Sequence, residues 1–416
     1  MEAYLDNAAT TRVLPEVAEL MTRVMTVDYG NPSSLHGKGF EAEKYIRTAS
    51  EQIAATLKCD ASNIVFTSGG TESNNQALIG TALANKRRGK HIVTTAFEHP
   101  SVHEPLLYLE QQGFEITFIP VESDGSVSKD VLVDALRDDT ILVSIMLVNN
   151  EIGAIQDIEG LATAVKKHDP DIVFHTDAIQ AYGKLRIKPA KSGIDLMSVS
   201  GHKLHGPKGI GFLYVREGTK LHPYIHGGHQ QKNRRSGTEN VPGIAGLGLA
   251  AEMAYRSVDE NYDRIGRLRD DFTDKLRQID GVIVHADRMS DMSTDMRTSP
   301  SDRMSDMSMD MQISSSERSG VRHISPYIIS IGVEGVKSEV LLHALEDKGI
   351  YVSSGSACSS NHPGISDTLT AVGIPKEYLD STIRISLSRF TTDEELDHTV
   401  KTLQELLPVL RRFTKR

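Results

Sequence analysis

One lysine of this chain stands where a ligand-binding site is expected. Lys203 comes three residues after the apolar stretch 196–200. A lysine at the end of a buried strand is open to desolvation, which lowers the pKa of its amine and frees it to react with an aldehyde. The simpler interpretation is that Lys203 is a charged residue at the end of a strand and has no catalytic role. The residues that accompany Lys203 therefore determine which interpretation is favoured.

A carboxylate follows another apolar stretch of the same kind. Asp177 comes directly after 172–176. At such a position a carboxylate can pair with the protonated nitrogen of a pyridine ring, which makes the ring an electron sink. The alternative for Asp177 alone is a cap at the end of a strand.

Groups suited to a phosphate occur at two further positions. Gly69 and Gly70 form a predicted turn, and Thr71 then opens a predicted helix as its N-cap; a helix start offers N–H groups and a favourable dipole to a phosphate. Ser200 and His202 are near enough to Lys203 to donate to the same group. An aldehyde, a pyridine and a phosphate together point to pyridoxal phosphate. Each piece alone is weak, but their order along the chain favours a cofactor site.

The chain has two cysteines, Cys59 and Cys358, too few for a disulfide framework or a cysteine-rich metal site. Cys59 ends an amphipathic stretch and is interpreted as partly buried and without chemistry. Cys358 lies among small and polar residues, typical of an exposed loop where a thiol can react.

The elements that position these residues alternate along the first part of the chain. Short apolar stretches separated by amphipathic ones predict a mainly parallel sheet with helices on both faces. The predicted strands are 63–67, 91–95, 114–119, 141–148, 171–176 and 196–200. Ligands bind outside the carboxyl ends of such strands. The polar clusters fall there, at 68–71, 98–99, 149–151, 177–180 and 200–203.

The pattern changes after residue 255. We predict a large α/β cofactor-binding domain over 1–255, whose N-terminal segment can pack with the second domain, and a smaller α+β domain over 256–416. Its last helix starts after Thr392, with Glu395 completing a capping box. Between about 287 and 320 lies a Met/Ser/Asp-rich stretch with seven of the 13 methionines and the hexamer Arg-Met-Ser-Asp-Met-Ser twice. We interpret it as a surface insertion; a methionine-rich metal site is the alternative.

Composition excludes several classes of protein. The chain has 416 residues with 39% hydrophobic and 25% charged, as in globular proteins. The net charge of -10 argues against a nucleic-acid partner. No apolar stretch reaches the roughly 20 residues that span a bilayer. The start, Met1 to Tyr4, lacks signal-peptide features, so a cytoplasmic location is expected.

Six longer motifs carry a resemblance to a known family. They are Gly30-Asn31-Pro32-Ser33-Ser34, Gly70-Thr71-Glu72-Ser73-Asn74, Val148-Asn149-Asn150-Glu151-Ile152-Gly153, Ser200-Gly201-His202-Lys203, Arg235-Ser236-Gly237-Thr238-Glu239-Asn240 and Ser353-Ser354-Gly355-Ser356-Ala357-Cys358. The chain resembles the NifS/IscS-type cysteine desulfurases, a branch of the fold-type I pyridoxal-phosphate enzymes, from Tyr4 to Thr392. The resemblance implies that fold and a homodimer.

The resemblance also implies a role for each matching residue. Lys203 corresponds to the lysine joined covalently to the cofactor, and His99 to the histidine stacked on its ring, which also moves protons. Capping of the next helix is the alternative for His99. The other implied cofactor-binding residues are Gly70, Thr71, Asn150, Asp177, Gln180 at the phenolic oxygen, Ser200, His202 and, from the second subunit, Thr238.

For the reaction, the resemblance implies L-cysteine as substrate and Cys358 as the residue that receives its sulfur as a persulfide. Arg384 corresponds to the arginine that binds the substrate carboxylate, with Asn31 and Asn150 beside it. The sulfur then passes to an iron–sulfur scaffold or another acceptor, and alanine is released. No resident metal is implied, although an iron–sulfur cluster bridging Cys358 and a partner fits the same resemblance.

Four alternatives stay open at this stage. A selenocysteine lyase, which uses the same machinery, and a cysteine lyase that releases free sulfide are close in chemistry. A sulfur-transfer scaffold would need no catalysis, and an aminotransferase of this fold would not need Cys358. Two features depart from the family pattern: the insertion, and His205 where a bulky or aromatic residue is expected. We attach no function to His205.

Overall fold

The computed structural model describes residues 1–286, 323–354 and 366–414. The predicted insertion and Cys358 lie outside these ranges. The strands in them are β1 (Ala3–Tyr4), β2 (Ile64–Thr67), β3 (His91–Thr95), β4 (Glu115–Ile119), β5 (Thr140–Ser144), β6 (Val173–Asp177), β7 (Leu196–Ser200), β8 (Gly211–Val215), β9 (Val282–Val284), β10 (Ile328–Val333), β11 (Ile350–Tyr351), β12 (Ser353–Ser354) and β13 (Thr382–Ser386).

The described strands form three sheets, of seven, four and two strands, and helices pack around them. The helices are α1 (Pro15–Thr26), α2 (Gly37–Leu57), α3 (Gly70–Asn85), α4 (Pro100–Gln111), α5 (Lys129–Asp134), α6 (Ile158–His168), α7 (Gln230–Asn233), α8 (Val241–Arg256), α9 (Val258–Arg277), α10 (Ser338–Glu346), α11 (Asp367–Ala371), α12 (Lys376–Leu379) and α13 (Asp393–Thr414). Within the described ranges, no helix combines the length and the apolar character needed to cross a membrane.

The larger sheet has seven strands in the order β2-β8-β7-β6-β5-β3-β4. The central strands pair in parallel from β4 through β3, β5 and β6 to β7, while β8 runs antiparallel to both of its neighbours. Most of these strands are buried along their whole length, as their apolar sequences predict. The predicted mainly parallel sheet is confirmed.

The second sheet is antiparallel, in the order β12-β13-β10-β9. Helices α9 and α13 pack beside it over a separate apolar core, to which the N-terminal Ala3 and Leu5 contribute. Strand β1 pairs in parallel with β11, so the start of the chain packs against this second unit. Ser257 separates α8 from α9. We place the proposed domain boundary at this break.

Several local predictions can be compared with the structure. The capping box of α13 is confirmed, since Thr392 and Glu395 exchange hydrogen bonds at 2.8 and 3.3 Å. The prediction that Thr71 is an N-cap is wrong, because α3 begins at Gly70 and Gly69 is its N-cap. The fourth predicted strand is shorter than expected, since β5 ends at Ser144 and not at Val148. Strand β8 is absent from the predicted set.

Candidate active site

A cavity of about 190 Å³ lies at the carboxyl ends of the central strands. Each of the five polar clusters predicted from the sequence contributes at least one residue to its wall. The lining residues are Ala8, Gly70, Thr71, His99, Ser101, Met146, Asn150, Asp177, Ile179, Gln180, Ser200, His202, Lys203 and Arg384. A wider cavity of about 790 Å³ shares Thr71, His99 and Ser101 with it, so the small cavity adjoins a larger opening.

Lys203 ends a short 3-10 turn that follows β7 directly. The turn carries its amine back toward the N-terminal segment, where Nζ donates hydrogen bonds to the carbonyl oxygens of Ala8 and, at 2.7 Å, Ala9. Carbonyl oxygens are neutral acceptors, so these two contacts orient the amine without adding a negative charge. The amine therefore stands at the cavity wall in a defined orientation.

Asp177 is the last residue of β6 and is 4% exposed. Its two carboxylate oxygens accept from the backbone N–H of Ile179 at 2.9 Å and from Nδ2 of Asn74 at 2.8 Å. Burial raises the pKa of Asp177, while these donors and the charges of His99 and Lys203 act in the opposite direction. A cationic ring nitrogen would offset the cost of this buried carboxylate.

Part of the cavity wall lies where α3 begins. A Cβ atom at Gly70 would stand 2.2 Å from Cδ1 of Ile179, so a larger residue there would require the Ile179 side chain to move. Gly69 has φ of 152°, which also favours glycine. The hydroxyls of Thr71 and Ser200 line the same cavity. Backbone N–H groups at a helix start, together with hydroxyls, form a set of donors suited to a phosphate.

His202 completes this group of donors from the turn after β7. Burial is the first cause that lowers the pKa of His202 to about 4, followed by the charges of Lys203 and Lys208. The ring is neutral at physiological pH, and its Nδ1 lies 3.2 Å from Oγ1 of Thr10. A neutral imidazole can donate one hydrogen bond to a phosphate without adding a charge.

The capping alternative for His99 is confirmed, and the residue also lines the cavity. It is the N-cap of α4, because its Nδ1 accepts from the backbone N–H of Ser101 at 3.1 Å, and it also lines the cavity. Burial lowers the pKa of His99. The cap holds the imidazole ring beside the cavity. A role of His99 in proton transfer stays a prediction.

Arg384 lies on β13, in the second sheet, and is 2% exposed. One Nη donates to the carbonyl oxygen of Asn150 at 2.9 Å, and the other to Asp6 at 2.9 Å. Among the described residues its buried Nε has no hydrogen-bond partner. An unpaired buried donor costs free energy, which a bound carboxylate would recover.

Two described residues of the predicted site, Asn31 and Thr238, are not in the cavity wall of this chain. Asn31 is exposed, and its Oδ1 accepts from the backbone N–H of Ser33 at 2.9 Å. Thr238 is also exposed, as a residue that serves a second subunit would be. Cys358 lies outside the described residues. The roles of these three residues stay predictions.

Other residues of the site are missed by sequence reasoning. Ala8 contributes a carbonyl oxygen, which no side chain reveals. Asn74 belongs to a recognised motif, but its contact with Asp177 depends on the packing of α3 against the sheet. Met146 and Ser101 line the cavity as well. Their only signal in the sequence is proximity to the clusters 149–151 and 98–99.

Pyridoxal phosphate fits this arrangement. Lys203 would bind its aldehyde carbon, Asp177 its pyridine nitrogen, and Gly70, Thr71, Ser200 and His202 its phosphate. The cofactor, when bound, supplies an electron sink for bonds to the Cα of an amino acid. The cavity thus provides partners for the aldehyde, the ring nitrogen and the phosphate of the cofactor.

Comparison with known proteins agrees with this fit. The profile of the aminotransferase class-V family matches residues 3–299 and 308–399, and the interruption falls inside the predicted insertion. The chain is 42% identical over 414 residues to the cysteine desulfurase IscS of Dictyoglomus turgidum, covering 99% of this chain and 96% of that protein. It is 41% identical over 411 residues to the cysteine desulfurase IscS of Methanosarcina thermophila, covering 99% and 93%.

A solved NifS-like protein superimposes with a TM-score of 0.85 at 35% identity, covering 99% of this chain and all of that one. The fold is thus that of a fold-type I pyridoxal-phosphate enzyme. The chain belongs to the aminotransferase class-V family, in the branch of the cysteine desulfurases. It is accordingly an enzyme dependent on pyridoxal phosphate.

Proposed function

We propose that the chain removes sulfur from L-cysteine, with Lys203 holding the cofactor and Cys358 receiving the sulfur as a persulfide. L-alanine is the other product. The persulfide then supplies iron–sulfur cluster assembly or another sulfur acceptor. The relatives named as cysteine desulfurases, matched over 99% of the chain, support the reaction. The residue assignments are supported by the geometry of the cavity.

The role of Cys358 is supported by the two positions at which its segment, 355–365, joins the described structure. Before the segment, Ser353 pairs across β12 and β13 with Arg384. After it, Ser366 donates a hydrogen bond to Glu151 at 2.5 Å, next to Asn150 in the cavity wall. Cys358 follows Ser354 by four positions, a length of chain that spans at most roughly 14 Å. Both attachments of the segment are thus beside the cavity.

Each residue then has a defined task in the reaction. Arg384 binds the carboxylate of cysteine, and the amine of Lys203 moves the proton at the substrate Cα. The thiolate of Cys358 attacks the substrate sulfur, so that a sulfur–sulfur bond forms as the carbon–sulfur bond breaks. The bonding electron pair stays with the carbon skeleton, which takes up protons and leaves as alanine. His99 is placed to hold or transfer a proton.

We also propose a homodimer in which Thr238 of each subunit completes the phosphate site of the other. Its exposure, outside the cavity of its own chain, supports this arrangement. A cytoplasmic location remains the prediction from sequence.

The two cysteines provide a matched test of this function. Cys59, the other cysteine of the chain, is partly buried, and burial, followed by the charge of Asp60, raises its pKa to about 11. The residue after Cys358 is Ser359, so no adjacent thiol can replace Cys358. Cys358→Ala should abolish alanine formation from cysteine and retain the visible spectrum of the bound cofactor, whereas Cys59→Ala should leave both unchanged.

Mass spectrometry after incubation with cysteine completes the test. An added sulfur atom is expected on Cys358 and not on Cys59, because a thiol with a raised pKa is rarely the reactive thiolate. Full turnover by Cys358→Ala would instead indicate an aminotransferase or another lyase. Alanine formation from selenocysteine but not from cysteine would indicate a selenocysteine lyase.

A further inference from the structure

A second lysine lies behind the cofactor pocket. Lys184 is 8% exposed, in the turn that follows β6, and its Nζ donates to Oε1 of Gln180 at 3.1 Å. Its Nζ also lies 5.6 Å from the centre of the Tyr327 ring. Burial lowers the pKa of Lys184 to about 7, and the charges of Lys203 and Arg384 act in the same direction. A buried lysine is costly, so its position requires a physical account.

The contact of Lys184 determines which way the Gln180 side chain points. A glutamine amide has an accepting oxygen and a donating nitrogen, whereas a protonated lysine only donates. The protonated form of Lys184 therefore faces Oε1. On the other side, Nε2 of Gln180 donates to the carbonyl oxygen of Ala8 at 2.9 Å. Both contacts require the same orientation of the amide.

This orientation leaves one hydrogen of the amide nitrogen available. Nε2 carries two hydrogens, and Ala8 accepts one of them. Gln180 lines the cavity beside Lys203, which donates to the same carbonyl oxygen of Ala8. The second hydrogen is thus available to a ligand in the cavity.

We propose that Lys184 is a positioning residue of the cofactor pocket, which binds Oε1 of Gln180 from behind and keeps its amide nitrogen directed at the cofactor. Lys184 itself does not line the cavity. The inference rests on cofactor binding in this cavity and not on the identity of the substrate. Its failure would therefore leave the desulfurase reaction untouched.

The test compares holoenzymes that differ at positions 184 and 180. Lys184→Met keeps the length of the side chain and removes the donor, while Lys184→Gln keeps an N–H donor without the charge. Gln180→Leu removes the amide. Lys188→Met, at an exposed lysine four residues further on, is the matched control. For each variant, the visible absorption of the bound cofactor is titrated with pH, and the dissociation constant of the cofactor is measured.

The expected result is a shared shift. Lys184→Met and Gln180→Leu should move the midpoint of the spectral titration in the same direction, with a shift of about half a pH unit to one unit for the loss of one hydrogen bond. The double variant should equal Gln180→Leu alone, because Lys184 acts through Gln180. Lys184→Gln should lie nearer the unmodified protein than Lys184→Met does, and Lys188→Met should show no shift.

Two outcomes would overturn the inference: an unchanged midpoint in Lys184→Met, or shifts of the two single variants that add in the double variant. Either would make Lys184 a packing residue. If Lys184→Met does not fold, the double variant is the second route, because it leaves neither polar group unpaired. A midpoint of the folded double variant that differs from that of Gln180→Leu would then reject the proposal.

Discussion

His99 and Ser101 are joined by a hydrogen bond of 3.1 Å from the backbone N–H of Ser101 to Nδ1 of His99. Because Nδ1 accepts, it carries no proton, and the neutral ring must have its hydrogen on Nε2. Burial lowers the pKa of His99, so the neutral form persists at physiological pH. One hydrogen bond therefore determines both the orientation of the ring and the nitrogen that can donate a proton.

The first prediction distinguishes the capping role of His99 from its role in proton transfer. Asparagine is a good N-cap without an imidazole, so His99→Asn should fold with an unchanged melting temperature. Its kcat for alanine formation should fall roughly 100-fold or more, the usual cost of losing a proton-transfer group. His99→Ala should lose activity to a similar extent and also about 1 kcal/mol of stability.

Steady-state kinetics and thermal denaturation of the two variants measure these effects. If His99→Asn kept full turnover, the cap would be the whole role of this residue.

The second prediction concerns substrate binding by Arg384. Lysine keeps the charge but not the two-pronged geometry, so Arg384→Lys should raise KM for cysteine by about 10- to 100-fold. The spectrum of the bound cofactor should be retained. Arg389→Lys, outside the cavity on the same part of the chain, is the control and should leave KM unchanged.

Initial rates over a range of cysteine concentrations provide the measurement. A variant with a normal KM and a low kcat would show that Arg384 does not hold the substrate carboxylate.

The sequence predicts the position of the site better than the details of the fold. Asp177, Gln180, Ser200 and Lys203 lie at one edge of the sheet as predicted, because apolar stretches define buried strands and parallel strands end at one edge. That inference needs only the order of elements. It does not need their exact bounds.

What could not be predicted depends on contacts between distant parts of the chain. Strand β8 runs antiparallel in a mainly parallel sheet, and its apolar sequence does not state its direction. Thr71 resembles an N-cap by residue type, but α3 begins at Gly70 and its N-cap is Gly69, two positions earlier than predicted. The carbonyl oxygen of Ala8 has no signature in the sequence.

The third prediction concerns the buried carboxyl group of Glu98. Oε1 accepts from Thr95 and from the backbone N–H of Met146, both at 2.8 Å, and within the described residues the buried Oε2 has no partner. Burial raises the pKa of Glu98 to about 8, and the charge of Asp177 adds to this effect. Since the pKa is higher in the folded state, stability is complete below the unfolded pKa of roughly 4.3 and decreases as the pH rises to about 8.

Glu98→Gln imitates the protonated side chain and cannot ionise. Its melting temperature should therefore exceed that of the unmodified protein by an amount that grows between about pH 4.3 and pH 8, with roughly 1 °C for each kcal/mol in a chain of 416 residues. Differential scanning fluorimetry across this range is the measurement. A difference that does not change with pH would contradict the burial of an ionisable carboxyl group here.

The fourth prediction tests the exposed Thr238 by mixing subunits. Each variant alone is defective: Lys203→Ala lacks the cofactor lysine, and Thr238→Ala lacks one phosphate contact. In a mixed dimer, the site that keeps Lys203 would receive Thr238 from the partner subunit. Co-expression with two different affinity tags allows the mixed dimers to be purified. If Thr238 acts across the interface, each mixed dimer should have one complete site and about half the activity of the unmodified dimer. The cofactor dissociation constant of that site should equal that of the unmodified protein.

If Thr238 instead serves its own subunit, the mixed dimer should have one inactive site and one weakened site. Its activity should then be no higher than half that of Thr238→Ala.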